Sequence, residues 1–267
     1  MTDAQHYDVI VVGTGAGGGT IAHRLAPTGK RILLLERGDY LPRERDNWDS
    51  TAVFVKGKYR APEFWFDKHG NEFPPEVNYY VGGNTKFYGA ALLLGKSDSE
   101  QIHGEAPRWA GAVCPDMPFE VLAHHAVDFW LCGEDLPTPD NRVTLDRDGG
   151  IHLALDEKND IAGLNHLRHK LQGVLGHLGM QEEHLLSRSV YLHKGMPIGA
   201  TAHQAGTVRF GRDPADSALD VDCKAHDLDN LHVVDTSFFP SIGAVNPSLT
   251  AIANALRVGD RIADRLR

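Results

Sequence analysis

The chain has 267 residues, of which 42% are hydrophobic and 24% charged, so its composition is that of a folded globular protein. Its formal net charge is −9, and no cluster of Lys or Arg offers a basic face, which argues against a nucleic-acid partner. No apolar run approaches the roughly 18 residues that cross a bilayer, so we expect no membrane span.

The cysteines and the first residues indicate a cytoplasmic protein. Cys114, Cys132 and Cys223 are odd in number and widely spaced, so they form neither a disulfide framework nor a CxxC metal site. The residues before the first predicted strand include Asp3 and neither Lys nor Arg, so we expect no secretory signal peptide.

The first predicted elements form a βαβ unit. Residues 8–12 end in a continuous apolar run that is typical of a strand buried on both faces of a parallel sheet. A glycine-rich turn, 13–19, leads into a helical stretch, 20–25. Residues 30–35 form a second buried strand that ends at Glu36.

The glycine-rich turn has the GxGxxG spacing of a dinucleotide-binding loop. Gly13 allows the tight turn, Gly15 lets a pyrophosphate approach the backbone, and Gly18 lets the helix pack on the strand. The N–H groups at the start of the helix attract phosphate. Glu36 can accept hydrogen bonds from an adenosine ribose and would repel a 2′-phosphate, so NAD and FAD are favoured over NADP. The alternatives are a glycine-rich turn without a ligand and a Glu36 that is only a solvated strand end.

The middle of the chain is less regular. Residues 38–78 read as loops, and residues 81–90 form a second glycine-rich turn. Residues 95–120 have little periodicity and three prolines, which indicates a junction. Residues 141–155 alternate around Gly149-Gly150 and predict a β-hairpin.

The last part of the chain has three predicted elements. Apolar residues from 161 to 178 recur at three- and four-residue steps and predict an amphipathic helix whose stripe faces the core. Residues 231–235 predict a short strand. Asn246 and Pro247 open the final helix, with Pro247 at the favoured first helical position.

Six segments together resemble the glucose–methanol–choline (GMC) oxidoreductases. The N-terminal segments are 8–18 with 35–38 and the second glycine-rich turn 81–89, and the C-terminal ones are 203–207, 230–237 and 246–250. They come in the family's order and cover roughly residues 7–98 and 128–265. The resemblance implies an α/β fold with a Rossmann-like FAD-binding domain built from both chain ends, plus a smaller α+β substrate domain.

The resemblance also implies domain boundaries. Residues 1–100 are the N-terminal part of the FAD-binding domain, 101–127 a shortened junction, 128–200 a part of the substrate domain, and 201–267 the C-terminal return to the FAD site.

The family oxidises alcohols, sugars or polyols by moving a hydride to flavin N5. His203 matches its catalytic base, and histidine titrates near neutral pH, as a general base should. Asn246 matches the partner position, where its amide can donate to the substrate oxygen. The alternatives are a surface-loop histidine and an asparagine that only caps its helix. The resemblance implies oxygen or a quinone-type compound as the electron acceptor and leaves the oligomeric state open.

The implied cofactor is non-covalent FAD. Asp235 would accept from the ribityl chain or lie near the pyrophosphate, and the final helix would direct its N-terminus at the flavin. The full set of implied cofactor-binding residues is Gly13, Thr14, Gly15, Ala16, Gly18, Glu36, Arg37, Gly83, Asn84, Thr85, Tyr88, Gly89, Ala90, Asp235, Asn246, Pro247 and Ser248.

No metal site is expected, because His166 and His169 have no Cys, Asp or Glu at ligand spacing. The chain is about half the family's usual length, and the shortage falls in the middle. Three hypotheses follow: an active FAD-dependent oxidoreductase, a truncated and catalytically impaired homologue or subunit that does not hold FAD alone, and an NAD-dependent dehydrogenase that leaves His203 and Asn246 unexplained.

Overall fold

A computed structural model of the chain describes residues 6–49, 51–86, 129, 131, 133–156, 158–159, 161–181, 198–200, 203–243 and 245–267. Tyr88, Gly89, Ala90 and the predicted junction 101–127 lie outside the described residues. The chain divides into two compact units, the first formed by residues 1–87, 137–156 and 202–267 and the second by 88–136 and 157–201.

The described elements, in chain order, are β1 (Val9–Val12), α1 (Ala16–Leu25), β2 (Ile32–Leu35), β3 (Trp65–Asp67), β4 (Glu72–Phe73), β5 (Arg142–Leu145), β6 (Ile151–Ala154), α2 (Ile161–His177) and α3 (Ser248–Arg265). None of the helices among them is long and apolar enough to span a membrane.

The predicted βαβ unit is confirmed. β1 and β2 pair in parallel, with Val9 opposite Ile32 and Val12 opposite Leu35. A parallel pair needs a crossover, and α1 supplies it. This unit brings the first glycine-rich turn and Glu36 to the same edge of the sheet.

The expectation that β1 is buried on both faces is wrong for the described residues. Val11 is 7% exposed, whereas Ile10 is 58% and Val12 81% exposed. The face that carries Val11 packs into a core with residues of α1 and α3, and no described residue covers the opposite face.

The core of the first unit lies between α1 and α3. Its central side chains are Ile21 and Leu25 from α1 and Ala255 and Val258 from α3, all nearly inaccessible. A Cβ on Gly259 would lie 2.8 Å from Cγ of Arg24, so the two helices approach closely at this point. This close packing fixes where α3 begins relative to the glycine-rich turn.

The predicted hairpin is confirmed as β5 and β6, which pair antiparallel. β6 also pairs in parallel with β3, giving a four-stranded sheet in the order β4-β3-β6-β5. Residues 137–156 therefore belong to the same unit as both chain ends.

The predicted helix of the second unit is confirmed as α2, but most of its apolar stripe is exposed. Leu175 is buried, whereas Leu164, Val174 and Leu178 are exposed among the described residues. His169 and His177 contact backbone carbonyls of their own helix, and the described part of the chain holds no metal-binding cluster.

The C-terminal segment differs from its prediction in two details. Residues 231–235 form an isolated bridge through His232 to Lys224 and no regular strand. The last helix begins at Ser248, and Pro247 is its N-cap with φ −80°, so Asn246 lies one residue before the cap. The ring fixes φ of Pro247 near this value, which suits either position.

Candidate functional site

The first glycine-rich turn is shaped by close contacts between backbone atoms. Gly13 has φ +87°, in the left-handed region that favours glycine, and its N–H donates to the carbonyl of Leu35 at 2.7 Å. A Cβ on Gly18 would lie 2.0 Å from the carbonyl oxygen of Gly13. Gly18 therefore admits no side chain, because α1 packs directly on the turn.

Gly15 has open space around it. A Cβ built on Gly15 would meet no atom within 4 Å, and the same holds for Gly13. Gly15 is the N-cap of α1, no side chain caps this end, and the first turn carries no acidic residue. The first N–H groups of a helix lack intrahelical acceptors. The turn therefore offers an open, uncapped cradle that fits a pyrophosphate.

Gly17 is a site residue that the sequence reasoning missed. A Cβ there would lie 2.5 Å from the carbonyl oxygen of Val234, so the start of α1 touches the C-terminal segment. Asp235 is brought next to the turn by this contact. Its Oδ1 accepts from the N–H of Ser237 at 2.9 Å. The run of three glycines at 17–19 is the sequence feature that could have indicated this close approach.

Glu36 is held by four hydrogen bonds to its carboxylate. One oxygen, Oε2, accepts from the N–H of Thr14 at 2.9 Å and from the Thr14 hydroxyl. The other, Oε1, accepts from the N–H groups of Arg37 at 2.7 Å and Gly38 at 3.2 Å. Partial burial raises the pKa of Glu36, but these hydrogen bonds outweigh it and leave the pKa below its ordinary value.

The two glycine-rich turns meet at Thr14. The N–H of Gly82 donates to the Thr14 hydroxyl oxygen at 2.9 Å, and a Cβ on Gly83 would lie 3.6 Å from Cα of Gly15. Asn84 and Thr85, also predicted to bind cofactor, form hydrogen bonds within residues 78–85. Oδ1 of Asn84 accepts from the N–H of Asn78, and the Thr85 hydroxyl donates to the carbonyl of Gly82.

The Arg37 side chain is engaged by residues that the sequence reasoning missed. Its guanidinium donates to Glu63 at 2.8 Å and lies 3.9 Å from the ring centroid of Tyr79. The Tyr79 hydroxyl also donates to Glu63, and burial together with that carboxylate raises the pKa of Tyr79 to about 12. A Cβ on Gly38 would lie 1.8 Å from the carbonyl oxygen of Tyr79. These contacts support the turn that carries Glu36.

His203 and Asn246 contact each other directly. Nε2 of His203 lies 2.9 Å from Oδ1 of Asn246, although the residues are 43 positions apart. A carbonyl oxygen accepts and does not donate, so this contact places the ring proton on Nε2 and leaves Nδ1 with the basic lone pair. Asn246 does not cap α3, because that end has no side-chain capping bond.

The loop that carries His203 is held against residues 236–238. The N–H groups of Gly206 and Val208 donate to the carbonyls of Thr236 and Ser237, and the Thr236 hydroxyl donates to the carbonyl of Gln204 at 2.8 Å. The same segment follows Asp235 directly, so one stretch of chain supports both the histidine loop and the start of α1.

The N-terminus of α3 lies beside this pair in the chain. Pro247 is buried, Ser248 is exposed, and the first turn of α3 contains no acidic residue. Its first N–H groups have no intrahelical acceptor, and the helix dipole makes this end positive. It suits a group that carries or gains negative charge.

Two segments of the chain match known protein families. Residues 137–255 match the family described as GMC oxidoreductase, and residues 11–46 match the NAD(P)-binding Rossmann-like domain. The 6'''-hydroxyparomomycin C oxidase of Streptomyces lividus is 37% identical over 49% of this chain and 24% of its own length. The 2-methyl-1,2-propanediol dehydrogenase of Mycolicibacterium austroafricanum is 33% identical over 55% of this chain and 26% of its own.

The matched segments thus span about a quarter of the length of these curated relatives. Among solved structures, a pyridoxine 4-oxidase from Mesorbium loti aligns over 96% of this chain and 99% of its own with a TM-score of 0.49 and 13% identity.

Proposed function

Since residues 137–255 match the GMC oxidoreductase family, we propose that the chain is an FAD-dependent oxidoreductase of this family that acts on the CH–OH group of an alcohol, sugar or polyol. The observation that carries this proposal is the contact of His203 Nε2 with Asn246 Oδ1 at 2.9 Å. An NAD-dependent dehydrogenase would explain the dinucleotide-binding segment from Gly13 to Glu36, but it would not explain the contact between His203 and Asn246.

The residues that would hold FAD fit it chemically. The open space at Gly13 and Gly15 and the uncapped start of α1 accommodate a pyrophosphate. Glu36 supplies carboxylate oxygens for the adenosine ribose, and Asp235 supplies a further acceptor next to Gly17. We expect binding to be non-covalent. When bound, FAD supplies the hydride acceptor for the reaction.

His203 would remove the proton of the substrate hydroxyl. With the ring proton held on Nε2 by Asn246, the lone pair of Nδ1 is the base. As Nδ1 takes the proton, the ring becomes positively charged, and Oδ1 of Asn246 stabilises that charge through the existing hydrogen bond. Removing the hydroxyl proton makes the neighbouring carbon a better hydride donor.

Asn246 would have two functions that use different atoms. Its Oδ1 orients the ring of His203, and its Nδ2 remains available to donate to the substrate oxygen. The uncapped N-terminus of α3, which begins two residues later at Ser248, would stabilise negative charge that develops nearby.

The test is anaerobic reduction of the FAD-loaded protein by alcohols and sugars, followed through the visible flavin absorbance. The proposal predicts that the absorbance bleaches with a substrate of this class and that the His203→Ala variant, loaded with FAD to the same extent, bleaches far more slowly. Equal bleaching rates for both proteins would refute the assignment of His203. Oxygen and a quinone-type compound are then compared as acceptors that restore the absorbance.

A second candidate function is a catalytically impaired subunit that does not hold FAD alone. The observation in its favour is the apolar face of the β1–β2 sheet, where Ile10 and Val12 are largely exposed among the described residues. A colourless, folded protein that takes up no added FAD would support this second candidate. Reduction of added NAD by alcohols without flavin would instead support a dehydrogenase.

A further inference from the structure

We propose that the Thr14 hydroxyl competes with the adenosine ribose for the Glu36 carboxylate, so that Thr14 limits the affinity of the chain for adenine dinucleotides. This inference rests on the proposed function, because it concerns the same binding loop. It adds a specificity-determining residue whose effect has the opposite sign to that of an ordinary binding residue.

The argument begins with the capacity of the carboxylate. Two carboxylate oxygens offer about four lone-pair sites for hydrogen-bond donors. In this structure all four are used, by the hydroxyl and N–H of Thr14 at Oε2 and by the N–H groups of Arg37 and Gly38 at Oε1. A ribose hydroxyl can therefore bind Glu36 well only if one of these donors leaves.

The hydroxyl is the donor that can leave. The N–H of Gly38 is fixed by backbone packing, since a Cβ on that residue would lie 1.8 Å from the carbonyl oxygen of Tyr79. Arg37 directly precedes Gly38 in the chain, and its guanidinium is held by Glu63, so its N–H is fixed as well. The Thr14 hydroxyl, in contrast, leaves Oε2 by rotation about a single side-chain bond.

Rotation of this hydroxyl also has a cost at the second glycine-rich turn. The Thr14 oxygen accepts from the N–H of Gly82 at 2.9 Å while its proton points to Glu36. Rotation about the Cα–Cβ bond of Thr14 carries this oxygen away from Glu36 and from Gly82, so it breaks both contacts. Ribose binding at Glu36 is thereby linked to the contact between the two glycine-rich turns.

The expected effect follows from this exchange. A hydrogen bond to a charged group is stronger than one between neutral groups, and solvation of the released hydroxyl offsets part of its loss. Thr14→Val has the same shape and keeps the backbone N–H, so three of the four donors to Glu36 remain, while the N–H of Gly82 loses its acceptor. We expect this variant to bind ADP about tenfold more tightly than the wild type.

The experiment is calorimetric titration of the full chain with ADP and with 2′,3′-dideoxy-ADP, which lacks the ribose hydroxyls. The proteins are the wild type, Thr14→Val and, as the matched control that retains the hydroxyl, Thr14→Ser. The inference predicts tighter ADP binding only for Thr14→Val, and the same affinity of all three proteins for the dideoxy ligand. Thr14→Ala removes the same hydroxyl and replaces Thr14→Val if the valine variant fails to fold. It is predicted to show the same gain in ADP affinity.

Three outcomes overturn the inference, and they are distinguishable from one another. If the wild type binds ADP and the variant binds it equally or more weakly, Thr14 is no competitor, while the proposed function stands. If neither the wild type nor the variants bind ADP, the proposed dinucleotide site fails and the inference fails with it. A gain in affinity that also appears with the dideoxy ligand shows that the effect does not pass through the ribose, and this too contradicts the inference.

Discussion

The glycine-rich turn and the His203–Asn246 pair lie in the same unit but depend on different parts of the chain. At the turn, Gly17 and Gly18 bring backbone atoms so close that no side chain fits. At the pair, two side chains meet and Asn246 is exposed. The packing at Gly17 and Gly18 is therefore part of the fold itself, whereas chemistry at the pair can be removed while the fold remains.

The largest effect is expected from His203→Ala. Loss of a general base lowers turnover by about 10²- to 10⁴-fold, because the hydroxyl proton then has no positioned acceptor. Steady-state kinetics with a substrate of the wild type give the size of the loss. FAD affinity and the free energy of unfolding should stay at wild-type values, since the described side-chain contact of His203 is with Asn246 alone.

His169→Ala is the matched control for that substitution. His169 is an exposed histidine on α2 whose Nδ1 contacts the carbonyl of Asn165. Its replacement should leave turnover unchanged. If His203→Ala lost no more activity than this control, His203 would not be the general base, and the His203–Asn246 pair would have no chemical role that distinguishes it from the glycine-rich turn.

The next effect is on stability and comes from Gly18→Ala. The new Cβ would lie 2.0 Å from the carbonyl oxygen of Gly13, a backbone atom that cannot move without distorting the turn. We expect a loss of about 3 kcal/mol or more in the free energy of unfolding. Urea denaturation followed by circular dichroism measures it, and a loss below about 0.5 kcal/mol would contradict the packing described for α1.

A smaller effect is expected from Asn246→Ala. The variant keeps His203 but loses the oxygen that orients its ring and the amide that would donate to substrate. Turnover should fall about ten- to a hundredfold, which corresponds to the loss of one hydrogen bond of about 1.5–3 kcal/mol to the charge that develops in the reaction. Asn246→Asp is the informative companion, because it keeps the acceptor and loses the donor. Full activity of the alanine variant would show that Asn246 has no part in the reaction.

The smallest effect concerns pH and the support of the Glu36 turn. The pKa of Tyr79 is raised from 10.0 to about 12, by burial and by its hydrogen bond to Glu63. Between these values the unfolded chain releases the proton and the folded chain keeps it, so this stabilisation is complete below pH 10 and is lost as pH rises through 12.

Urea midpoints measured across that pH window should therefore fall less steeply for Tyr79→Phe than for the wild type. Tyr40→Phe, at a tyrosine that is 77% exposed, is the control and should follow the wild-type curve. Identical slopes for Tyr79→Phe and wild type would show that the Tyr79–Glu63 contact does not contribute in solution.

The same contrast explains what could be predicted from the sequence. Apolar runs and glycine spacing are local signals, so they predict the β1–α1–β2 unit, the hairpin and the helix α2, and the bounds of the hairpin and of α2 nearly match the observed ones. The start of α1 is less well predicted, because the helix begins at Ala16, four residues before the predicted start, inside the glycine-rich turn. The exposure of Val12 is not predicted from the sequence. An apolar run shows which residues a strand can bury, but it does not show which other part of the chain packs on them.

Long-range contacts between side chains were also beyond local patterns. The partners of Arg37 lie far along the chain, with Glu63 26 residues away, and no periodicity links them. The pairing of β6 with β3 likewise joins segments on opposite sides of the long central stretch. His203 and Asn246 were named only through resemblance to a family, and their contact required the structure.

The central claim is that the open turn at Gly15 binds the FAD that the proposed reaction at His203 and Asn246 requires. It is tested most directly by FAD binding to the wild type and to Gly15→Ala, measured by equilibrium dialysis alongside urea denaturation of both proteins. A Cβ on Gly15 meets nothing within 4 Å, so the unfolding free energy should change by less than about 1 kcal/mol. The account predicts that the wild type binds one FAD per chain and that the alanine variant, equally folded, binds at least about tenfold more weakly. Equal FAD binding by both proteins, or none by either, would contradict it.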